Sequence, residues 1–267
     1  MHRWIIEYGS SITINNTDLD NPTIVAKNRD DIDTFGFRPG RVLARKYEVL
    51  SLLGAGWEGE VYKIREVTTG IERAAKFFFP IRNLRDKSSK FYAKKLHKLR
   101  HCPILIQYHH QDSITFKGSI ITFLVSDYVE GELLSEYVSH QSGKRVSMFE
   151  GLHILYTLTQ GMECIHQGRE FHGDLHDNNI IIKRHGIGFD IKLLDLYRLG
   201  PSGATGINND VCELIRIFYD ILGGQKHYAK HPKIVKDICC GLKRTLILKK
   251  FRTAGRLRKY LETLTWS

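Results

Sequence analysis

The chain lacks an apolar run as long as a membrane-crossing helix needs, and the apolar core of its N-terminal MHRWIIEYGSS is too short for a secretory signal. No CxxC pair occurs among its five cysteines, Cys102, Cys164, Cys212, Cys239 and Cys240, and their number is odd. That argues against a disulfide scaffold or a thiolate zinc site and points to reduced, mostly buried thiols of a cytoplasmic protein. The adjacent Cys239 and Cys240 have no second pair nearby, so helix packing is expected of them. Repeats, low-complexity tracts and RNA- or DNA-binding signatures are absent too.

What is present is 267 residues of ordinary apolar content with plentiful aromatics, enough for one large domain or two small lobes. The net charge of +11 is unevenly placed. Lys226 to Lys259 holds twelve Lys/Arg against Asp237 alone, and Arg82 to Arg100 holds eight against Asp86 alone. The remainder is acidic. Two basic blocks in an acidic chain are solvated helix faces or a surface for an acidic protein or nucleic acid.

Residues 1–46 read apart from the rest. WIIEYGSSITI has the pattern of a strand or hairpin, and NNTDLDNP and NRDDIDTFGFRPG are turn-rich. From Tyr47, three strand-length runs follow: YEVLSLL, EVYKIREV and ERAAKFFF. SSKFYAKKLHKLRH reads as a helix with Phe91, Leu96 and Leu99 on its apolar side, and SIITFLVSDYVEG as another strand. Beyond Leu133 the pattern predicts helices over 147–167, 209–222, 232–247 and 253–264, interrupted by strands near 179–183 and 189–194. Strands first and helices after predict a two-lobed α+β protein, with a ligand cleft between the lobes.

The glycine cluster Gly54-Ala-Gly56-Trp-Glu-Gly59-Glu-Val61 is followed by a strand. A dinucleotide fingerprint would open a helix there instead. A flap between two strands, exposing backbone N–H groups to phosphate, fits better. Lys76 follows at the distance of the next antiparallel strand, flanked by Ala75 and FFF, as an ammonium aimed at the same phosphate.

Further on, HGDLHDNN packs two His, two Asp and two Asn into residues 172–179. His172 and His176 have the i, i+4 spacing of zinc ligands on a helix, but Gly173 and the Asp/Asn run argue for a loop. With GxGxxGxV and A-x-K ahead of it, the chain resembles the protein-kinase family, and within it the bacterial eukaryotic-like serine/threonine kinases. Asp174 and Asn179 keep that family's spacing of five, and KLLDLY stands where Asp-Phe-Gly would. NNDVCELIRIFYDILGG resembles the family's buried helix, with Asp210 bracing the catalytic loop. KRTLILKKFRTAGRLRKYLETL resembles its closing helix pair, with Arg252 in the arginine position. The resemblance spans 47–264, divided near 129 into a small antiparallel β-sheet lobe and a helical lobe.

It implies ATP and Mg²⁺ as cofactors and a protein hydroxyl as acceptor. Gly54, Gly56, Gly59 and Lys76 would hold phosphate oxygens, Asn179 and Asp195 the metal, and Asp174 the acceptor proton. Leu53, Val61, Ala74 and Ile181 would enclose the adenine. Backbone groups of Asp127 and Val129 would face the base, with Ser126 behind it. His172 would brace the loop near Asp195, with Asp177 exposed and Asn178 a loop residue.

Four departures qualify the resemblance. Tyr92 stands where the helix should carry a carboxylate for Lys76, and no acid lies between Asp86 and Asp112. Asp86 could substitute, Lys76 could pair with Asp195, or the basic helix itself could face the phosphates. Gly173 replaces an arginine. Asp195 and Asp210 are only fifteen residues apart, with no Ala-Pro-Glu between them, so activity independent of phosphorylation at Ser202 or Thr205 is expected. His176 replaces a lysine, as in aminoglycoside- and choline-type phosphotransferases. A small-molecule phosphotransferase and a catalytically silent scaffold are therefore the alternatives.

Overall fold

A computed structural model describes residues 32–196 and 203–265. The possible hairpin of WIIEYGSSITI lies outside the described residues. The chain divides into two compact units, one of residues up to Ala93 plus Tyr108–Tyr128, the other of Lys94–Gln107 plus Val129 onward.

The first unit is built on an antiparallel sheet in the order β1-β2-β3-β4-β6-β5. Its strands are β1 (Val42–Leu43), β2 (Tyr47–Ala55), β3 (Gly59–Glu66), β4 (Glu72–Phe78), β5 (Tyr108–Phe116) and β6 (Ser119–Asp127). The strand runs read in the sequence are β2, β3, β4 and β6. The edge strand β5 has no apolar run to announce it, because every second residue faces water.

Strand alternation sorts the sheet into two faces. Tyr62, Ile64, Ala75, Phe77, Phe123 and Val125 fill one. That face is covered from within the chain: Ile32, Phe35 and Phe37 are buried against it. Phe35 meets the rings of Phe37, Phe77, Phe79 and Phe116 at centroid separations of 5.1–5.9 Å. Residues 32–46 are thus part of the sheet unit rather than an appendage. Their polar tie is Glu60, a buried carboxylate. It accepts from Thr34 Oγ1 at 2.8 Å, from the Phe35 amide at 3.2 Å and from the Tyr62 hydroxyl. The Tyr62 oxygen accepts in turn from the Phe37 amide at 3.1 Å. Burial, above all, pushes that hydroxyl's pKa up, so it stays a donor to Glu60.

Helix α1 (Lys87–Lys98) follows β4 through two short 3-10 turns. Its buried side carries Tyr92, Lys95 and Leu96, with Leu99 buried just past its end, while Phe91 is only half-buried. Leu96 and Leu99 are buried as expected, Tyr92 is more buried than Phe91, and the buried side includes a lysine. Lys95 is tolerated inside because its Nζ donates to the carbonyl of Phe171 at 2.7 Å. Burial lowers its pKa.

The second unit holds a small sheet, β7 (Glu132–Leu133), β8 (Ile180–His185) and β9 (Gly188–Leu193), in that order. Around it lie α2 (Leu134–His140), α3 (Met148–Gln167), α4 (Gly203–Ile221), α5 (Gly224–Tyr228), α6 (Lys233–Cys239), α7 (Arg244–Lys250) and α8 (Ala254–Glu262). A capping box of Ser147 and Glu150 starts α3. The single helix expected over 232–247 is broken, since Cys240, Gly241 and Leu242 all adopt positive φ between α6 and α7. Among the described residues no helix is long and apolar enough to cross a membrane.

The reading of all five cysteines as reduced is corrected for one pair. Cys102, after α1, and Cys164, on α3, form a disulfide with a Cα–Cα separation of 5.7 Å. Sequence spacing could not reveal it, because 62 residues separate the partners. Cys212, Cys239 and Cys240 are free.

Two measurements test these contacts. Phe35→Ala should lower unfolding free energy by about 3–5 kcal/mol in urea titration, the usual cost of emptying a buried aromatic site. Alkylation of the denatured protein, followed by mass spectrometry, should modify three thiols without reductant and all five after reduction. Five without reductant would overturn the pairing.

Candidate active site

In the sheet unit, pairing register aligns the predicted nucleotide residues. Val61 lies opposite Lys76, and Ala74 opposite Lys63, so Val61, Ala74 and Lys76 share the face not covered by Phe35 and Phe37. A bulge between Leu52 and Gly54 places Gly54 opposite Val61 and leaves Leu53 half-buried at the irregularity. The loop closes with the Gly56 amide donating to the Gly59 carbonyl at 2.9 Å. Glycine is compulsory at 59, where a Cβ would overlap the Phe77 carbonyl of the neighbouring strand. At the far end of β4, Ala74 pairs with Ser126 and Arg73 with Asp127. The Asp127 carboxylate is held by Arg73 Nη1 at 2.9 Å and His109 Nε2 at 2.6 Å.

Of the possible partners for Lys76, Asp86 is engaged elsewhere. It accepts from Thr122 Oγ1 at 2.7 Å and from Asn83 Nδ2 at 3.3 Å. Tyr92 presents its ring 4.3 Å from Lys76 Nζ. The carboxylate at Lys76 within this unit is Glu58, whose Oε2 lies 3.3 Å from Nζ. The sequence reading missed Glu58, although it lies inside the quoted glycine cluster.

The second unit organises HGDLHDNN. Asp210, buried on α4, accepts from the His172 amide at 2.7 Å with Oδ2 and from the Gly173 amide at 3.0 Å with Oδ1. Gly173 has φ +85, the left-handed region that glycine occupies freely. His166 Nε2, from α3, reaches the same carboxylate at 3.1 Å. His172 is fully buried. Its Nδ1 accepts from the Asp174 amide at 3.3 Å, so Nε2 carries the proton and donates to the Leu194 carbonyl at 2.8 Å. Burial lowers the pKa of this imidazole and keeps it neutral.

His176 lies in the same loop, between three polar neighbours. The Asn178 amide donates to Nδ1 at 3.2 Å, while Nε2 lies 3.0 Å from Asn179 Nδ2 and 3.6 Å from Asp174 Oδ2. This imidazole holds the Asp174 carboxyl below the usual carboxylate range, and Asp174 in turn raises His176. Asp174 is therefore ionised at neutral pH. Asn179 is buried and donates from Nδ2 to the Asp174 carbonyl at 2.8 Å. Its Oδ1 receives no hydrogen bond among the described residues. The Leu194 amide donates to the Asn179 carbonyl at 2.9 Å, which ties the start of the Asp195 turn to this loop. Asp195 takes φ +48, a strained conformation that Asp tolerates better than most residues. An amide oxygen and a carboxylate are donor types that suit Mg²⁺. Asp177 is half-buried rather than exposed, and Asn178 is exposed, accepting from Ser135 Oγ at 2.6 Å.

Ile181 is half-buried on β8, opposite Leu133. Val129 begins this unit's second segment. Gly131 has φ +143 and lies so close to the Ile182 carbonyl that no side chain fits. Thr205 is exposed in the first turn of α4, and Ser202 falls outside the described residues. Arg252 is exposed and makes no ion pair among the described residues.

One unit carries a strand-flanked glycine loop and lysine, and the other an Asp/Asn loop braced by an acid. The protein kinase domain model matches residues 47–200, and the chain belongs to that family. It is 25% identical to cyclin-dependent kinase B2-2 of Arabidopsis thaliana over 208 residues, covering 74% of this chain and 64% of that one. Against cyclin-dependent kinase 14 of Xenopus tropicalis the identity is 29%, covering 70% and 42%. The chain thus spans less than two thirds of the curated relatives it matches. In fold, it is similar to the PknI kinase domain of Mycobacterium tuberculosis, with TM-score 0.62 and 17% identity over 85% of this chain and 99% of that one.

Removing the Asp210 carboxylate would strip two loop amides of their acceptor. Asp210→Ala should cost about 2–4 kcal/mol in thermal or urea unfolding. It should also raise hydrogen exchange at His172 and Gly173 more than elsewhere in the unit. Exchange unchanged at those two amides would refute the bracing role.

Proposed function

We propose that the chain is an ATP-dependent protein kinase that transfers the γ-phosphoryl group to serine or threonine hydroxyls. The observation carrying this reading is the state of Asp174. It is ionised, steered by His176, and fixed to Asn179, whose own carbonyl is tied to the Asp195 turn. A carboxylate so held can accept or orient the acceptor's hydroxyl proton. Asn179 and Asp195 would hold Mg²⁺, which neutralises phosphate charge when bound. Lys76 and the Gly54, Gly56 and Gly59 backbone would meet the phosphates. Leu53, Val61, Ala74 and Ile181 would flank the adenine, and backbone groups of Asp127 and Val129 would face its edge.

His176 also supports a second reading, a small-molecule phosphotransferase of the aminoglycoside or choline type. It is built into the loop two residues after Asp174 rather than left on the surface. A nucleotide-binding scaffold is the third reading.

The basic stretch 226–259 offers a surface for an acidic protein. All of its Lys and Arg side chains except Arg258 are exposed. Arg258 pairs with Glu163 and Glu262 at 2.6 Å.

The deciding experiment uses purified protein, Mg²⁺ and γ-labelled ATP with a generic protein acceptor. Label should pass to serine or threonine of the acceptor or of the protein itself. Asp174→Ala should reduce transfer by about 10²–10⁴-fold, the usual contribution of a positioned base. Lys76→Ala should reduce it as well. Transfer only to a metabolite would select the second reading, and nucleotide binding without transfer the third.

A further inference from the structure

The sulfurs of Cys102 and Cys164 do not stand alone. His101, exposed beside buried Cys102, brings a ring nitrogen within 4.8 Å of both. Among the described residues no hydrogen bond or ion pair holds that ring, so it can turn toward the sulfurs. The fold thus gathers two thiol positions and an imidazole that no CxxC pattern announced. Their backbones are fixed without the disulfide. Gly161 and Gly168 flank Cys164, and a Cβ at these positions would collide with the Ile104 and Leu99 side chains respectively, so this stretch packs tightly on residues 99–104. The Cys102 amide donates to the Leu99 carbonyl at 2.8 Å, and the Leu193 amide of β9 donates to the Ile104 carbonyl at 2.8 Å. Breaking the S–S bond therefore leaves both cysteines in place.

We propose that, once reduced, Cys102 and Cys164 bind a zinc-class divalent cation together with His101, so that disulfide and metal are alternative states of one site. The Cα–Cα separation of 5.7 Å serves both. Tetrahedral Zn–S bonds of about 2.3 Å put two sulfurs about 3.8 Å apart, which small side-chain rotations supply. A dithiol reductant gives the disulfide two electrons and two protons and is itself oxidised to a disulfide. Each thiol then releases its proton as it takes the metal, so binding one Zn²⁺ displaces two protons. Two thiolates and an imidazole make three of zinc's four ligands, and water takes the fourth position on the exposed His101 side. Sulfur ligands select such an ion over Mg²⁺, which takes oxygen, so this site does not compete for the ion proposed at Asn179 and Asp195.

The test is titration of Zn²⁺ into the full chain in competition with a chromogenic zinc chelator. One sample is reduced with a phosphine that is then removed, and the other is left oxidised. The reduced chain should bind one Zn²⁺ and the oxidised chain none. Peptide mapping should show Zn²⁺ slowing alkylation at Cys102 and Cys164 and not at Cys212 or Cys240. His101→Ala, a surface change, should weaken binding at least about 10-fold, since even outer-shell partners of a metal cost that much. Cys164→Ser should abolish it, and Cys240→Ser should leave it intact. No zinc binding by the reduced wild type would overturn the site. So would equal binding by the oxidised and reduced chains, or by His101→Ala and the wild type.

Discussion

The carboxylate of Asp210 accepts two consecutive backbone amides, those of His172 and Gly173, inside the helical unit. Buried N–H groups without acceptors are costly, so this one side chain determines where the loop can lie. Everything downstream inherits that placement. With its backbone held, His172 can turn its ring between the Asp174 amide and the Leu194 carbonyl. That ring joins the loop carrying Asp174 and Asn179 to the strand end carrying Asp195. The neutral imidazole suits the task, since it needs one accepting and one donating nitrogen, and burial disfavours its charged form.

The sheet unit follows a different logic. Its two faces are separated by strand alternation, one dry and aromatic, the other carrying Val61, Ala74 and Lys76. A β-sheet needs its apolar face covered, and here residues 32–37 do so. The polar cost of that cover is met by Glu60 and Tyr62, which satisfy the Phe35 and Phe37 amides. With the dry face sealed from within, the lysine face is free to serve charge. Its arrangement differs from the family pattern at Tyr92 and Glu58, where an aromatic ring on the helix and a carboxylate on the loop meet one ammonium.

Much of the family's pattern was legible before the structure. Gly54–Gly59, Lys76, Asp174, Asn179, Asp195 and Asp210 occur in an order and at spacings that resemble one family, and the domain match over 47–200 shows that family. The bracing roles of His172 and Asp210 agree with the observed hydrogen bonds. The edge strand β5 was not legible, because alternating exposure gives it no continuous apolar signal. Lys95 lies within the Arg82–Arg100 basic block and nothing in that block sets it apart, since a buried lysine is recognisable only by the carbonyl it reaches, that of Phe171.

The sequence by itself determined the family, most of the strands and helices, and the residue types that resemble that family's motifs. These are local properties, written in periodicity and short spacings. Tertiary structure alone decided the pairings between distant residues: Cys102 with Cys164, Phe35 with Phe77, and Glu58 with Lys76. Each depends on a fold or hairpin that brings separated segments within a few ångströms. No pattern in one stretch of chain encodes what another stretch will place beside it.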